Sequence, residues 1–189
     1  MTRIVSLFDY SGVWSDPYLQ AGYDVIRVDI QHGSDVYDPF LDDLTGIHGV
    51  LAAPPCTEFA RSGARWFAEK DADGRAETAI ALVRRTLCLI DLWQPRWWAL
   101  ENPPGRIHNL VPELGRPAFK FHPWMFGGNR RKWTYLWGDF NPPAIATDIE
   151  PADASYDWIW KVGGRSARTK NIRSKTDEGF ARAFFEANP

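Results

Sequence analysis

The segment RIVSLFDYSGVWSDPYLQAGYDVIRVDI, residues 3–30, decides the fold. RIVSLF is apolar and β-branched enough for a buried strand, DYSG breaks the run, and WSDPYLQAG reads as a helix ended by Gly22. DVIRVDI, at 24–30, is a second strand that ends on Asp29. Working outward, HGVLAA at 48–53 predicts another strand, stopped by Pro54 and Pro55. Over 74–93, Ala76, Ala79, Ile80, Leu82, Val83, Leu87, Leu89, Ile90 and Leu92 recur at helical spacing, and Cys88 falls inside this helix, where inert core is its expected role. WWALENPPG predicts a short strand over 97–100 that breaks at Pro103 and Pro104, and WTYLW at 133–137 predicts a further one. Residues 141–154, rich in Pro, Ala and Asp, read as loop. DEGFARAFFEAN predicts a last helix with Thr176 as N-cap and Glu178 in its first turn. Alternating strands and helices point to an α/β fold with a mostly parallel sheet.

A chain of 189 residues fits one domain with a substantial core and is short for two. No apolar run approaches bilayer length, and MTRIVSLFDYSG lacks the features of a signal peptide, so the expected location is cytoplasmic. Cys56 and Cys88 make no disulfide framework, and with His32, His48, His108 and His122 they show no zinc-like spacing; no metal is expected. The net charge of −2 argues weakly against a nucleic-acid partner, but its distribution is uneven. Acids crowd the first sixty residues (among them Asp9, Asp29, Asp35 and Glu58), whereas 161–175 carries Arg165, Arg168, Lys170 and Arg173 and no acid. One face only would meet a phosphate backbone.

Open α/β sheets bind ligands outside the carboxyl ends of their strands, so the turns after the strands are where chemistry is sought. FDYSG offers small residues that let backbone amides approach a ligand, and Asp29 is placed to accept hydrogen bonds from a ribose diol. Either feature is also what an ordinary turn requires. AAPPCTEFARSG is more telling: two prolines fix the backbone and present the thiol of Cys56. ALENPPG puts Glu101 and Asn102 at the end of the next strand, so a thiol and a carboxyl group can converge, a nucleophile with an acid.

On these residues the chain resembles the cytosine-5 DNA methyltransferases, small phage-like members in particular. FDYSGVW is similar to their first cofactor motif, Asp29 stands where they place a ribose-binding acid, and Asp35 in GSDV is similar to their adenine-contacting Asp. PPCTEFARSG resembles their nucleophile loop, with Cys56, Phe59, Ser62 and Gly63 matching and Thr57 and Ala60 departing from the commoner Gln and Ser. Glu101 and Asn102 match the Glu-Asn pair, although its usual Val is Pro103 here. NRRKWTYLW, at 129–137, resembles the basic strand that holds the target base, and leaves open whether Arg131 or Lys132 does so. RSKTDEGFARAFFEAN is similar to the last motif, which completes the cofactor pocket. The likeness runs through nearly the whole chain in the family's order.

The resemblance implies a Rossmann-like, S-adenosylmethionine-dependent methyltransferase domain spanning 1–189, with Cys56, Glu101, Arg131 and Lys132 as catalytic residues. It implies cofactor contacts from Phe8, Asp9, Ser11, Gly12, Asp29, Ile30, Asp35, Val36, Pro54 and Ser174. Cys56 would add to carbon 6 of cytosine, Glu101 would assist at nitrogen 3, and the methyl group would go to carbon 5. The target must then be flipped out of duplex DNA or offered on a single strand. Family members of ordinary length carry a large recognition domain where this chain has only 138–163, too short for an independent domain. That leaves relaxed specificity, a homodimer or a separate recognition partner. Two further readings stay open: methylation of cytosine in RNA or a free nucleotide, and a paralogue that binds DNA or cofactor without turnover.

Overall fold

The computed structural model describes residues 2–154 and 166–189. Its centre is a six-stranded sheet: β1 (Arg3–Leu7), β2 (Asp24–Val28), β3 (Ile47–Ala52), β4 (Trp97–Asn102), β5 (Phe119–Phe121) and β6 (Thr134–Asp139), in the order β2-β1-β3-β4-β6-β5. The first four strands are parallel; β6 is antiparallel to both β4 and β5, so β6 alone is reversed. The chain passes from β1 to β2 on one side and then returns to β3 on the other, which creates a topological switch point between β1 and β3. This is a Rossmann-like α/β architecture, as the strand and helix alternation predicts.

Side-chain alternation in the strands builds two cores, one on each face. Val5, Leu7, Val50, Ala52 and Leu100 face α3 (Arg75–Trp93), which presents Val83, Leu89, Ile90 and Trp93. Their neighbours Ile4, Leu51, Ala99 and Leu136 face the other way, onto Tyr18 of α1 (Asp16–Gln20) and onto Phe180 and Phe184 of the C-terminal helix (Glu178–Ala187). Fully burying each large apolar side chain contributes roughly 1.5–3 kcal/mol. Trp97, Tyr18 and Phe184 interlock at ring separations of 5.5 and 5.7 Å, pinning the last helix across the sheet.

Several boundaries and one side chain differ from expectation. Strand β1 stops at Leu7, because Phe8 turns to φ 60, and β6 covers 134–139, where 133–137 was expected. The C-terminal helix is capped by Asp177, whose carboxylate accepts from the amides of Gly179 and Phe180, and not by Thr176. Cys88 is exposed, contrary to the expectation that it lies in the core. The buried stripe of α3 runs through Ala76, Ala79, Val83, Thr86, Ile90 and Trp93, and position 88 lies two residues from 86 and from 90, on the opposite side of the helix. Among the elements the sequence does not announce are strand β5, α2 (Phe67–Ala72), a short helix over Ile107–Leu110 and a helix over Ala167–Ser174. Within 138–163 the described part, up to 154, returns onto the domain. Asn141 and Asn188 exchange hydrogen bonds of 2.7 and 2.9 Å, and Ala146 donates to the Met125 carbonyl. Residues 155–165, and with them Lys161 and Arg165 of the basic segment, lie outside the described residues.

Among the described residues, no helix is long and apolar enough to cross a membrane, and no group of three His, Cys, Asp or Glu side chains is placed to hold a metal ion.

Candidate active site

The turn after β1 is organised by one buried carboxylate. Asp9 accepts from the hydroxyls of Ser6 (2.8 Å) and Ser15 (2.6 Å) and from the Gly12 amide (2.8 Å). Two residues in this turn have positive φ, Phe8 at 60° and Gly12 at 71°. For Phe8 this is uncommon backbone, maintained by the hydrogen bond from its amide to the Val28 carbonyl at 2.7 Å. The result is a preformed loop at the switch point, with Ser11 at its surface. At the end of β2, Asp29 accepts from the Gln31 amide at 2.8 Å, and the neighbouring Ile30 is 74 % exposed. Asp35 accepts from the Tyr37 amide, while Val36 turns its side chain into the core. Phe8, Asp9, Ser11, Gly12, Asp29, Ile30, Asp35 and Val36 thus follow the ends of β1 and β2, with Asp9 acting as the keystone of its turn, whereas Pro54 follows β3 and Ser174 ends the helix Ala167–Ser174.

The second half of the site lies beyond β3 and β4. Cys56 is half-buried just after β3, and the loop that carries it is fastened from several directions. The Asn102 side chain donates to the Pro54 carbonyl at 3.0 Å, so the end of β4 fixes the start of the loop. Arg61 donates its amide to Pro104, Arg106 donates its amide to Phe59, and Ala60 pairs with Gly105. A Cβ at Gly105 would stand 1.9 Å from the Phe59 carbonyl oxygen, so this approach demands glycine. Lys70 of α2, nearly inaccessible, donates to the Thr57 carbonyl and pairs with Glu58 at 3.2 Å. Arg106 adds a bond to the Glu58 carbonyl and a pair with Asp71, its guanidinium lying 3.8 Å over the Phe67 ring.

Glu101 projects from β4 on the face it shares with Leu136. Its Oε1 is buried without a hydrogen-bond partner, and Lys132 Nζ approaches it to only 3.9 Å. Burial pushes the Glu101 carboxyl above its usual range, with the Lys132 charge opposing this. The Cys56 thiol is pushed up by burial first and by the Glu101 charge second, while Lys132 and Arg173 draw it down. These two groups are therefore coupled: a proton on Glu101 removes the repulsion that opposes a thiolate at Cys56. Arg131 takes a different direction and pairs with Glu150. Beside Glu101 opens a shallow cleft, continuous with solvent, to which Lys132, Thr134, Ser174 and Phe180 also contribute.

The structure therefore brings Cys56, Glu101 and Lys132 together, puts Ser174 on the wall of the same cleft, and leaves Arg131 outside this group. Lys70, Arg106 and Gly105 were not found from sequence. A lone lysine in FAEKDA carries no local sign of burial, and its role becomes visible only once α2 is folded against the loop.

No family model matches the chain, and no curated protein is similar to it in sequence. Solved structures do match in fold. One is a protein designated a DNA modification methyltransferase encoded within a prophage of E. coli, similar at TM-score 0.51 and 18% identity over 80% of this chain and 52% of that one. Another, an Entamoeba histolytica methyltransferase, matches at TM-score 0.44 and 13% identity over 88% of this chain and 61% of that one. The first likeness shows the fold. This chain spans about half the length of that neighbour.

Proposed function

We propose that the protein transfers a methyl group from S-adenosylmethionine to carbon 5 of cytosine in DNA, through a covalent adduct at Cys56. The observation that carries this reading is the partnerless buried oxygen of Glu101, 3.9 Å from Lys132 and near enough to Cys56 for its charge to act on the thiol. A buried acceptor left empty is destabilising by about 1–3 kcal/mol unless a ligand completes it. A carboxyl group with a raised pKa, beside a thiol, is what a pyrimidine ring needs at nitrogen 3 and carbon 6. The fold shared with a protein designated a DNA modification methyltransferase supports methyl transfer to DNA as the general activity.

The cofactor is expected along the ends of β1 and β2, where the preformed turn from Phe8 to Gly12, the Asp29 carboxylate and the exposed Ile30 suit backbone contacts, a ribose and an adenine in turn. Bound there, it supplies an electrophilic methyl group on a sulfonium sulfur. Cys56 forms its bond to carbon 6, and the displaced π electrons develop at carbon 5 as Glu101 holds or protonates nitrogen 3. Carbon 5 would then take the methyl carbon, with the neutral thioether as leaving group. A base then removes the carbon 5 proton, the ring electrons return, and the Cys56 thiolate leaves. Lys132, beside Glu101, is the cation favoured to hold the base; Arg131 pairs with Glu150.

Incubation with S-adenosylmethionine labelled in its methyl group, in parallel with duplex DNA, single-stranded DNA, RNA and dCMP, tests the reading. Label recovered as 5-methylcytosine from DNA supports it. Label in RNA or dCMP alone, or in none while the cofactor still binds, would replace it with one of the other two readings.

A further inference from the structure

Strand β6 is antiparallel to β4, so the residues that lead into it stand at the same edge of the sheet as Glu101. Trp133, directly before β6, is 42 % exposed. Behind it the His122 ring lies at 4.0 Å with a tilt of 39°, and His122 in turn stacks on Trp124 at 6.0 Å and 18°. Both supporting rings are buried, and burial pushes the His122 imidazole toward its neutral form. Trp133 is thus backed by a layered stack with its own indole open to solvent. Tyr135 meets it edge-on at 6.3 Å, and Lys120 stands over the Tyr135 ring at 5.0 Å. Lys132, one residue away, is the cation beside Glu101.

An exposed indole on a rigid aromatic support, with Lys120 over the neighbouring Tyr135 ring, has the composition of a site for single-stranded nucleic acid: rings for base faces and a cation for phosphate. We propose that Trp133 stacks against the base adjacent to the target cytosine on a single strand of DNA. This rests on the cytosine methyltransferase reading, since that reading locates the target base between Cys56 and Glu101. A base inside a duplex has both faces covered by its neighbours, whereas in a single strand a face is free for the indole. Because every base has a π face, such a platform holds the strand without selecting a sequence, and it requires no separate recognition domain.

Fluorescently labelled oligonucleotides containing one cytosine, bound without methyl donor, test the platform in the wild type, Trp133→Ala and Trp133→Phe. Removing a stacked base partner should weaken single-strand binding by roughly tenfold to a hundredfold in Trp133→Ala, with most affinity retained in Trp133→Phe. An abasic site at one of the two positions flanking the cytosine should weaken the wild type by a similar factor and leave Trp133→Ala no weaker than before. Wild-type affinity in Trp133→Ala, or an abasic penalty of the same size in both proteins, would overturn the proposal. Tighter binding of the matching RNA than of the DNA would overturn the choice of strand. Methyl transfer is not read in this experiment, so a protein that passes it and yet transfers no methyl retains the platform and loses the catalytic reading, and the converse result does the reverse.

Discussion

The turn after β1 and the loop after β3 both present functional groups at the carboxyl edge, but they are held in different ways. In the first turn, Asp9 finds Ser6, Gly12 and Ser15 within six residues of itself. The Cys56 loop is secured by Lys70, Asn102, Pro104 and Arg106, which arrive from α2, from the end of β4 and from the residues after it. A local network can form as soon as its own segment does. The distant one exists only after the sheet has assembled, so the position of the Cys56 thiol is fixed by tertiary structure. Glu101 sharpens the contrast, since it is left without a hydrogen bond where Asp9 has three.

The largest expected effect is on Glu101. Glu101→Gln should lower turnover by roughly 10²–10⁴-fold, the usual worth of a positioned acid or base, while cofactor binding measured by calorimetry is retained. Two further readouts follow from the direction of the shifts. Removing the carboxylate removes a charge that raises the Cys56 pKa, so alkylation of Cys56 by iodoacetamide, followed in a Cys88→Ala background, should set in at lower pH. A carboxyl group whose pKa is raised in the folded state binds its proton more tightly there. Its contribution is therefore most favourable below the unfolded pKa and declines as pH rises through the folded value. Glu101→Gln should accordingly be more stable than the wild type at neutral pH, the difference vanishing in acid. Alkylation that begins at higher pH in the variant would contradict the coupling.

Lys70 comes next. Lys70→Met leaves Glu58 buried without its cation and the Thr57 carbonyl without its donor, a loss of about 3–5 kcal/mol by the general behaviour of broken buried pairs. Denaturant unfolding measures this, and cofactor affinity at temperatures where the variant is folded should stay at the wild-type level. Asp9→Ala reverses the pattern, with about 1–3 kcal/mol of stability lost and cofactor affinity falling with it. Equal loss of cofactor affinity in both variants would erase the distinction between the two regions. Cys88→Ala, on the exposed side of α3, should change stability by no more than about 0.5 kcal/mol.

The same distinction governs what could be read from the sequence. Strands β1 to β4 were legible because an apolar run between Gly, Pro and Asp signals depends on neighbours alone, and the presented thiol of Cys56 and the carboxyl of Glu101 followed from their positions after such runs. Strand β5 has three residues, FKF, too few for any period to show, and it exists because β6 offers it an edge. Cys88 is expected in the core because apolar residues surround it on nearly every side of the helix, from Leu87 to Leu92, whereas the buried stripe through Val83, Thr86 and Ile90 puts position 88 outward. The choice between Arg131 and Lys132 could not be made from NRRKW, since no periodicity governs the residues leading into β6. Glu150 and Glu101, far apart in sequence, divide the two cations between them.

The most direct test of the account uses DNA in which the target cytosine carries fluorine at carbon 5. Attack and methylation can proceed there, but fluorine cannot leave as a cation, so the elimination that would free Cys56 is blocked. With S-adenosylmethionine present, wild-type protein and Cys88→Ala should both form a denaturation-resistant adduct that mass spectrometry maps to Cys56, and Cys56→Ser should form none, a hydroxyl being far the weaker nucleophile. An adduct on Cys88, or methylation that persists in Cys56→Ser, would contradict the mechanism.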